Sequence, residues 1–400
     1  MLKTLRLHNF KTFLNTEINF TQRHLIIGKN NSGKTNLCAA LRFLSAIGTS
    51  DFATALRTLA GGVHEITNWA SRSDTVELAC ECELPFGDDT LTYTYTVKLQ
   101  ISPSQRTPGK AHSELNVKEE RLSVDGAYYK YKDVDLLKCD GRQVALLEES
   151  APENATLTTS IGPLASQDAS MLSKLYESET NPRAILFRRY LANWRYHALS
   201  PLAMRIGWKN YPATPQPFSG SGDNLANLLY ALKTMDERRY RSIIDLVRLH
   251  VEPNLEAINF IPSPDQPPVP MIHHRLKPQA SWTGLSDGTL RFLALCLVIE
   301  NATQSGEVPA LSVIEEPENG IYPGLLRTLF DMFEDRAPMA QFLMTSHSPY
   351  FVNLFDGSRD SVTLLRREEE RSTIVPIPPA DVDDPDRELL AEQYSMELFG

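Results

Sequence analysis

Two glycines, a lysine and a threonine are spaced so that they could bind a chain of phosphates. Residues 28–35 read Gly-Lys-Asn-Asn-Ser-Gly-Lys-Thr and fit the pattern G-x-x-x-x-G-K-[ST]. The apolar run at 24–27 predicts a buried strand before this segment, and residues 36–44 predict a helix after it. A glycine loop in that position can wrap its amides around an anion and direct the positive end of the helix at it. A chance match in a glycine-rich turn is the alternative, and the flanking elements argue against it.

This loop is therefore predicted to bind ATP together with Mg²⁺. Lys34 should reach the β- and γ-phosphates and take part in catalysis, and Thr35 should be a magnesium ligand. We expect nucleotide contacts along the whole loop and at the residue after it, namely Gly28, Lys29, Asn30, Asn31, Ser32, Gly33, Lys34, Thr35 and Asn36.

Two adjacent acids could complete the chemistry. Residues 311–316 form an apolar run that ends in Glu315 and Glu316, and the run predicts a strand. Neighbouring side chains on a strand point to opposite faces, so we expect the two carboxylates to have different roles. We assign Glu315 to the magnesium ion and Glu316 to polarising the attacking water, since phosphoryl transfer depends on positioning and electrostatics. An acidic strand end at the surface is the alternative for this pair taken alone.

Two further segments carry groups that can contact phosphate. Residues 283–289 have turn chemistry and precede a predicted helix at 290–299, with Ser286 as candidate N-cap and Gly288 close to it. The free amides of that helix start form a second predicted anion site. Residues 341–345 predict another buried strand, and His347 follows it, where it can hydrogen-bond a γ-phosphate.

In order and chemistry these segments resemble the ATP-binding-cassette (ABC) ATPases, in the branch of the SMC, RecF and overcoming-lysogenization-defect (OLD) proteins. Residues 285–289 resemble the LSGGQ signature, and residues 317–320 resemble the D-loop. Glu315 and Glu316 resemble the Walker B acid and the catalytic glutamate, and His347 resembles the switch histidine. The chain is similar to stand-alone predicted bacterial ATPases, a group often linked to phage defence.

The start of the chain carries the resemblance further, and a few positions depart from it. Residues 5–13 resemble the first strand of this branch and its Asn-Phe-Lys turn, which implies that Lys11 lies near the nucleotide. The signature has Asp287 where transporters have glycine, and Glu315 stands where aspartate is usual. The Q-loop glutamine has no clear counterpart, and Gln100 and Gln105 are the nearest candidates. These differences argue against a transporter subunit more than against ATP hydrolysis.

The resemblance implies an α/β fold, a P-loop NTPase of ABC/SMC-head type with a mixed central sheet, an antiparallel β lobe and a compact helical insertion. No heptad run of three or more repeats is present, so long coiled-coil arms are not expected. We divide the chain into an N-terminal ATPase lobe (1–164), a helical insertion (165–254), a C-terminal ATPase lobe (255–376) and an acidic tail (377–400).

Periodicity predicts the elements inside these parts. Antiparallel strands are expected at 75–84, 91–99, 120–124 and 128–131, with a polar loop at 102–112. Helices are expected at 169–176, 224–232 and 242–250, the second with Asp223 as a candidate cap. Strands should return within 255–276, and two edge strands are expected at 363–366 and 373–376.

Composition excludes several classes of protein. No run of about 18 apolar residues predicts a membrane span, and no secretory signal is seen, so we expect a cytoplasmic protein. The five cysteines are scattered and predict reduced thiols, and Cys80 and Cys82 alone do not make a zinc site. The net charge of −10 fits a dedicated nucleic-acid binder poorly.

One basic and aromatic segment leaves two interpretations open. The first interpretation is that it contacts a nucleic-acid backbone and stacks on bases. The second, which we favour, is that it forms a helix that packs its aromatic side chains inward, followed by a core strand at 194–199. Its members are Arg188, Arg189, Tyr190, Trp194, Arg195, Tyr196, His197, Arg205, Trp208 and Lys209.

The family resemblance also implies partners. Two copies should form a head-to-tail homodimer, or several copies a higher homo-oligomer, with ATP between the phosphate loop of one copy and Ser286 of another. OLD proteins carry a nuclease domain of about 100 residues after this histidine, and the stretch after His347 is too short for it. The acidic run at 381–386 is expected to be solvated rather than metal-binding. We therefore expect a separately encoded effector, nuclease-like, in antiviral defence. A RecF-like ATPase that binds DNA in genome maintenance is the alternative.

Overall fold

The protein is described from a computed structural model. The model describes residues 1–59, 62–103, 113–125, 133–149, 157–164, 166–175, 180–210, 217–263, 267–302, 311–348, 351, 354–355, 360–369 and 371–377. The predicted strand at 128–131, most of the predicted loop at 102–112, Gln105 and the acidic tail from residue 378 onward lie outside these residues. Ser102 and Pro103, the start of the predicted loop, belong to a strand.

The described strands fall into three sheets. In chain order they are β1 (Leu2–Phe10), β2 (Phe13–Asn19), β3 (Arg23–Gly28), β4 (Thr75–Phe86), β5 (Asp89–Pro103), β6 (Ser113–Asp125), β7 (Val134–Cys139), β8 (Gln143–Glu149), β9 (Leu157–Pro163), β10 (Trp194–His197), β11 (Leu255–Ile261), β12 (Val269–His274), β13 (Lys277–Ser281), β14 (Leu311–Glu315), β15 (Gln341–Ser346), β16 (Asp360–Glu368) and β17 (Arg371–Ile377).

The described α-helices lie between groups of these strands. They are α1 (Lys34–Ile47), α2 (Phe52–Leu56), α3 (Met171–Lys174), α4 (Pro182–Ala192), α5 (Pro201–Ile206), α6 (Leu225–Met235), α7 (Glu237–His250), α8 (Asp287–Ala302) and α9 (Pro323–Arg336). Among the described residues, none of these helices is long and apolar enough to cross a lipid bilayer.

An antiparallel sheet forms the first lobe, as predicted. Its order is β2-β1-β4-β5-β6-β7-β8-β9, and every neighbouring pair is antiparallel. The alternation of apolar and polar residues along β4 and β5 buries one face, including Tyr93 and Tyr95, against α4. This sheet supplies the scaffold beside the phosphate loop, because β1 leads into the turn at Lys11 and Thr12.

The central sheet positions the predicted chemistry. Its order is β10-β14-β15-β3-β16-β17, with the first five strands parallel and β17 antiparallel. Successive residues of β3 belong to different cores: Ile26 packs in one, and Leu25 and Ile27 pack in the other. A parallel sheet buried on both faces needs continuous apolar strands, which explains why β3, β14 and β15 have no polar alternation.

Two details of the sequence-based prediction are wrong. Residues 363–366 were expected to form an edge strand, but β16 lies between β3 and β17 and pairs with both. Asp223 does not cap α6: its carboxylate accepts a hydrogen bond from Ser219, and the N-cap residue Asn224 makes no side-chain cap. Neither polar residue therefore caps this helix with its side chain.

The region set apart as a helical insertion contains the expected helices and one strand of the central sheet. Of the helix predicted at 169–176, only Met171–Lys174 is helical in α3, and residue 176 lies outside the described residues. α6 (Leu225–Met235) matches the helix predicted at 224–232 to within a few residues, and α7 contains the one predicted at 242–250 but begins earlier, at Glu237. β10 pairs in parallel with β14, so this part of the chain also helps to build the ATPase core. The boundaries at 165 and 254 remain a prediction.

Candidate functional site

Three neighbouring strands end at one edge of the central sheet and bring the predicted residues together. The order β14-β15-β3 places the ends that carry Glu315, His347 and the glycine loop side by side. A cleft of about 230 Å³ opens at this edge. It is lined by Asn30, Asn31, Ser32, Gly33, Lys34, Thr35, Asn36, Glu315, Glu316, Thr345 and His347.

The glycine loop has the backbone that its sequence predicts. Gly33 has φ of 109°, in the left-handed region, and the helix α1 begins directly after it. A Cβ at Gly33 would lie 2.3 Å from Oγ of Ser372, and a Cβ at Gly28 would lie 2.5 Å from the Leu365 carbonyl oxygen. Both positions therefore require glycine, because a side chain at Gly33 would collide with β17 and one at Gly28 would collide with β16.

Two hydroxyl residues that the sequence did not single out hold this loop in place. The Ser372 hydroxyl donates to the Ser32 carbonyl at 2.7 Å, and its oxygen lies 2.8 Å from Oγ1 of Thr12, within hydrogen-bond distance. Asn36 Nδ2 donates to the same Thr12 oxygen at 3.2 Å. The first β-turn of the chain and its last described strand thus clamp the loop, a long-range contact that local pattern does not reveal.

Lys34 lies folded into the loop. Its ammonium donates to the carbonyl oxygens of Gly28 at 2.6 Å and Lys29 at 3.1 Å. Burial lowers the pKa of Lys34 to about 8, although the nearby Glu316 carboxylate opposes this shift. A bound triphosphate would place negative charge beside this buried ammonium and so stabilise its charged form.

Glu315 has the features expected of a magnesium ligand. Its Oε1 is buried and has no hydrogen-bond partner among the described residues, and the Thr35 hydroxyl lines the same cleft. Carboxylate and hydroxyl oxygens suit Mg²⁺, so the residues present fit this ion. Burial raises the pKa of the Cys38 thiol and of the Tyr196 phenol, and the nearby Glu315 carboxylate adds to both shifts. Both groups stay protonated and can donate to Glu315.

Glu316 does not follow the strand geometry that the sequence suggested. β14 ends at Glu315, and Glu316 has φ of 46°, a left-handed conformation that is uncommon outside glycine. Its amide donates to the Thr345 carbonyl at 3.0 Å. This backbone turn places both carboxylates along one cleft instead of on opposite faces, so the alternation argument is wrong at this pair. Their separate roles remain a prediction.

A histidine and a second glutamate complete the site. His347 Nε2 lies 2.8 Å from Glu316 Oε1, and its Nδ1 lies 3.3 Å from Lys34 Nζ. Glu318 Oε1 accepts from the His347 amide at 3.2 Å and from the Ser346 hydroxyl. Burial raises the pKa of Glu318. The sequence indicated only that Glu318 belongs to a segment that resembles the D-loop. No neighbouring residue in the sequence indicates that its carboxylate accepts hydrogen bonds from Ser346 and His347.

The signature segment has the predicted cap but lies apart from this cleft. The Thr289 amide donates to Ser286 Oγ at 3.1 Å, at the start of α8. A Cβ on Gly288 would lie 2.7 Å from the Gly320 carbonyl oxygen, so the signature packs on the D-loop of its own chain. Ser286 and Gly288 are not among the residues that line the cleft.

Other candidate residues also lie elsewhere. Lys11 does not line the cleft; its amide donates to the Ile66 carbonyl, and burial lowers its pKa. Gln100 lies in β5 and its amide group contacts Asp74. In the basic and aromatic segment, Tyr190 and Trp194 are buried, and β10 is a strand of the central sheet. The favoured interpretation, a helix that packs inward followed by a core strand, is confirmed for these residues.

Two family models match this chain. Residues 1–181 match the family model described as "AAA ATPase domain", and residues 218–353 match the model described as "AAA domain, putative AbiEii toxin, Type IV TA system". The first match contains the glycine loop, and the second contains Glu315, Glu316, residues 317–320 and His347.

Solved structures and one curated protein are similar as well. An SMC head bound to the C-winged helix domain of ScpA aligns with TM-score 0.54 and 13% identity, over 94% of this chain and 98% of that chain. The SMC head domain from Thermotoga maritima aligns with TM-score 0.43 and 12% identity, over 94% and 98%. An "ATP/GTP phosphatase" of Helicobacter pylori (strain ATCC 700392 / 26695) is 49% identical over 45 residues, which are 11% of this chain. The match spans only 12% of that protein's length. The first alignment shows that the fold is that of an SMC head.

Proposed function

We propose that this chain, an SMC/ABC-like AAA ATPase, binds ATP in the cleft at the carboxyl edge of the central sheet and hydrolyses it to ADP and phosphate. The observation that carries the proposal is the convergence of Lys34, Glu315, Glu316 and His347 on one cleft beside the glycine loop. These groups come from three separate segments of the chain, and only the sheet order brings them together.

Each group has a role that its surroundings support. The loop amides and Lys34 bind the phosphates and offset their charge. Glu316 orients the attacking water and accepts its proton, and His347 fixes the carboxylate through the 2.8 Å contact. Thr35 and Glu315 would hold Mg²⁺, which neutralises charge on the phosphate oxygens when it is bound. Phosphoryl transfer needs little else from a protein, because positioning and electrostatics dominate its catalysis.

We further propose that two copies sandwich the nucleotide head to tail. Ser286 and Gly288 present a capped helix start outside the cleft of their own chain, so a second copy could offer that surface to the γ-phosphate. The cleft of one chain would then be incomplete without the other. Hydrolysis would remove the bridging phosphate and loosen the pair.

The output of this cycle is proposed to be a separately encoded effector, in antiviral defence. Two comparisons support a partner. One matching family is described with a toxin of a toxin–antitoxin system, and the SMC head of the first alignment is bound to a domain of another protein. Direct DNA binding in genome maintenance is the alternative. DNA-stimulated turnover that weakens steeply with salt would favour it.

The test uses the full chain and its Glu316→Gln variant. We expect Mg-ATP to convert the variant from monomer to dimer in light scattering, while the wild type releases phosphate and returns to monomer. Glu237→Gln, an exposed glutamate on α7, serves as the control and should behave as wild type. Absence of phosphate release from the wild type would refute the ATPase proposal. Phosphate release without any change of mass in Glu316→Gln would refute the sandwich.

A further inference from the structure

An acidic residue lies where an anion-binding segment should avoid negative charge. Asp287 is the first residue of α8 and stands between Ser286 and Gly288, and its side chain is 63% exposed. The inference that follows rests on the proposed function, in which this segment faces the triphosphate of a second copy. An uncompensated carboxylate there would repel the phosphates and oppose docking.

Arg205 compensates that carboxylate. Its Nη2 lies 2.6 Å from Asp287 Oδ1 and donates to the Leu285 carbonyl at 2.7 Å, while its Nε donates to the Thr283 carbonyl at 3.2 Å. The guanidinium therefore binds the signature segment at three points. Its own side chain is only 23% exposed, so it approaches the segment from the inside.

The helix that carries Arg205 is anchored at both ends. Ser200 Oγ accepts from the Ala203 amide at 3.3 Å and caps α5, and Ser200 follows the end of β10 of the central sheet by three residues. The indole N–H of Trp282, a buried residue, donates to the Met204 carbonyl at 3.0 Å. Arg205 is thus presented by a fixed backbone, and it does not have to be ordered when a nucleotide arrives.

We propose that Arg205 is a positioning residue that neutralises Asp287 and so allows the signature segment to accept the triphosphate of the second copy. Asp287 is largely exposed, and an exposed ion pair adds little to folding stability. The effect of the pair is therefore on docking against a highly charged anion, where one unpaired negative charge weighs most. The pair also explains how the chain tolerates an acid where the ABC signature has glycine.

The experiment compares three variants in the Glu316→Gln background, using ATP-dependent dimerisation by sedimentation and fluorescent-ATP binding to the isolated monomer. Arg205→Ala should weaken dimerisation by about tenfold or more, with nucleotide affinity of the monomer unchanged. Asp287→Asn should dimerise as well as the parent or several-fold more tightly. The double variant should return to within about threefold of the parent.

Each outcome separates this inference from the proposed function. If the parent Glu316→Gln protein does not dimerise, the sandwich itself is refuted. If it dimerises and Arg205→Ala does so equally well, the role of Arg205 is refuted. If Asp287→Asn does not restore dimerisation to Arg205→Ala, Arg205 only holds the loop. If Asp287→Asn alone dimerises more weakly than the parent, the carboxylate itself makes a contact. Both results overturn the charge-neutralisation proposal, and the second needs no folded Arg205→Ala protein.

Discussion

The imidazole of His347 contacts the carboxylate of Glu316 directly, with Nε2 2.8 Å from Oε1. The other ring nitrogen lies 3.3 Å from the Lys34 ammonium, so one histidine joins the predicted base to the predicted phosphate ligand. Asn319 Nδ2 donates to the remaining oxygen of Glu316. Both oxygens of this carboxylate therefore have protein partners before any water is positioned.

Removing the histidine should slow hydrolysis without abolishing nucleotide binding. We expect His347→Ala to lower kcat by about 10–100-fold, a range typical of residues that orient a catalytic group, with a smaller change in KM. The reason is that Glu316 loses the donor that fixes one of its oxygens. Phosphate release under saturating Mg-ATP measures kcat. His8→Ala, at an exposed position of β1, is the control, and a kcat for His347→Ala equal to that of wild type would contradict this role.

Glu318 should act through hydrogen bonding rather than through its charge. Glu318→Gln keeps an oxygen that can accept from the Ser346 hydroxyl and the His347 amide, so we expect kcat within about threefold of wild type. Glu318→Ala leaves both donors without their acceptor and should lower kcat by about tenfold or more. Phosphate release and thermal melting of the two variants side by side make the test. Equal losses in both variants would show that the carboxylate charge is what matters.

Nucleotide binding should take up a proton at alkaline pH. Burial lowers the pKa of Lys34 to about 8, and a bound triphosphate would raise it again. Below pH 8 the ammonium is already charged, so affinity should not depend on this group. Above pH 8 the neutral amine must bind a proton first, so affinity should fall by up to about tenfold per pH unit.

Calorimetry in buffers of different ionisation enthalpy measures the proton uptake directly. Wild type at pH 9 should take up a fraction of a proton close to one per nucleotide. Lys34→Met should bind nucleotide far more weakly and show no such uptake. Proton uptake that is the same at pH 7 and at pH 9 would contradict the assignment to Lys34.

The sequence could predict the parts of the site that are local. The glycine loop, its strand and its helix form one continuous segment whose backbone demands leave few alternatives, and the structure has them at 23–28 and 34–47. Ser286 could be predicted as a cap for the same reason. The contacts between segments that are distant in the sequence could not be predicted. Thr12 and Ser372, for example, are in contact only because the order of the strands brings them together.

Glu316 shows how a residue that lines the cleft can be predicted through an incorrect geometry. The identity of the acid follows from its place after an apolar strand, but the strand ends one residue earlier than expected. Its positive φ is fixed by the hydrogen bond of its amide to β15, a tertiary contact. Asp287 is a similar case. The sequence shows an acid in the signature segment, but only the structure shows that Arg205, which is distant in the sequence, pairs with it.

The fold should lose stability on acidification because two buried histidines are held neutral. Burial lowers the pKa of His24 to about 3 and that of His197 to about 4. The His24 ring joins β3 to β16 through Ser361 and Thr363, with 3.0 Å between Nε2 and Thr363 Oγ1. In the unfolded chain both groups titrate near pH 6.5, so between that pH and the folded-state values the unfolded state binds more protons. The contribution of these two histidines to stability should therefore be constant above pH 6.5 and fall as pH decreases from 6.5 towards 4, by about 1.4 kcal/mol per pH unit for each histidine.

Urea unfolding at a series of pH values measures this slope. His24→Gln should be less stable than wild type at pH 7, because a hydrogen-bonded ring that contacts Phe20 is lost. Between pH 6.5 and 4 its stability should decline less steeply, since one titrating group has been removed. His64→Gln, at an exposed position, should leave the slope unchanged. If His24→Gln and wild type lose stability in parallel over this range, the acid sensitivity has another origin, and His24 titrates equally in the folded and unfolded states.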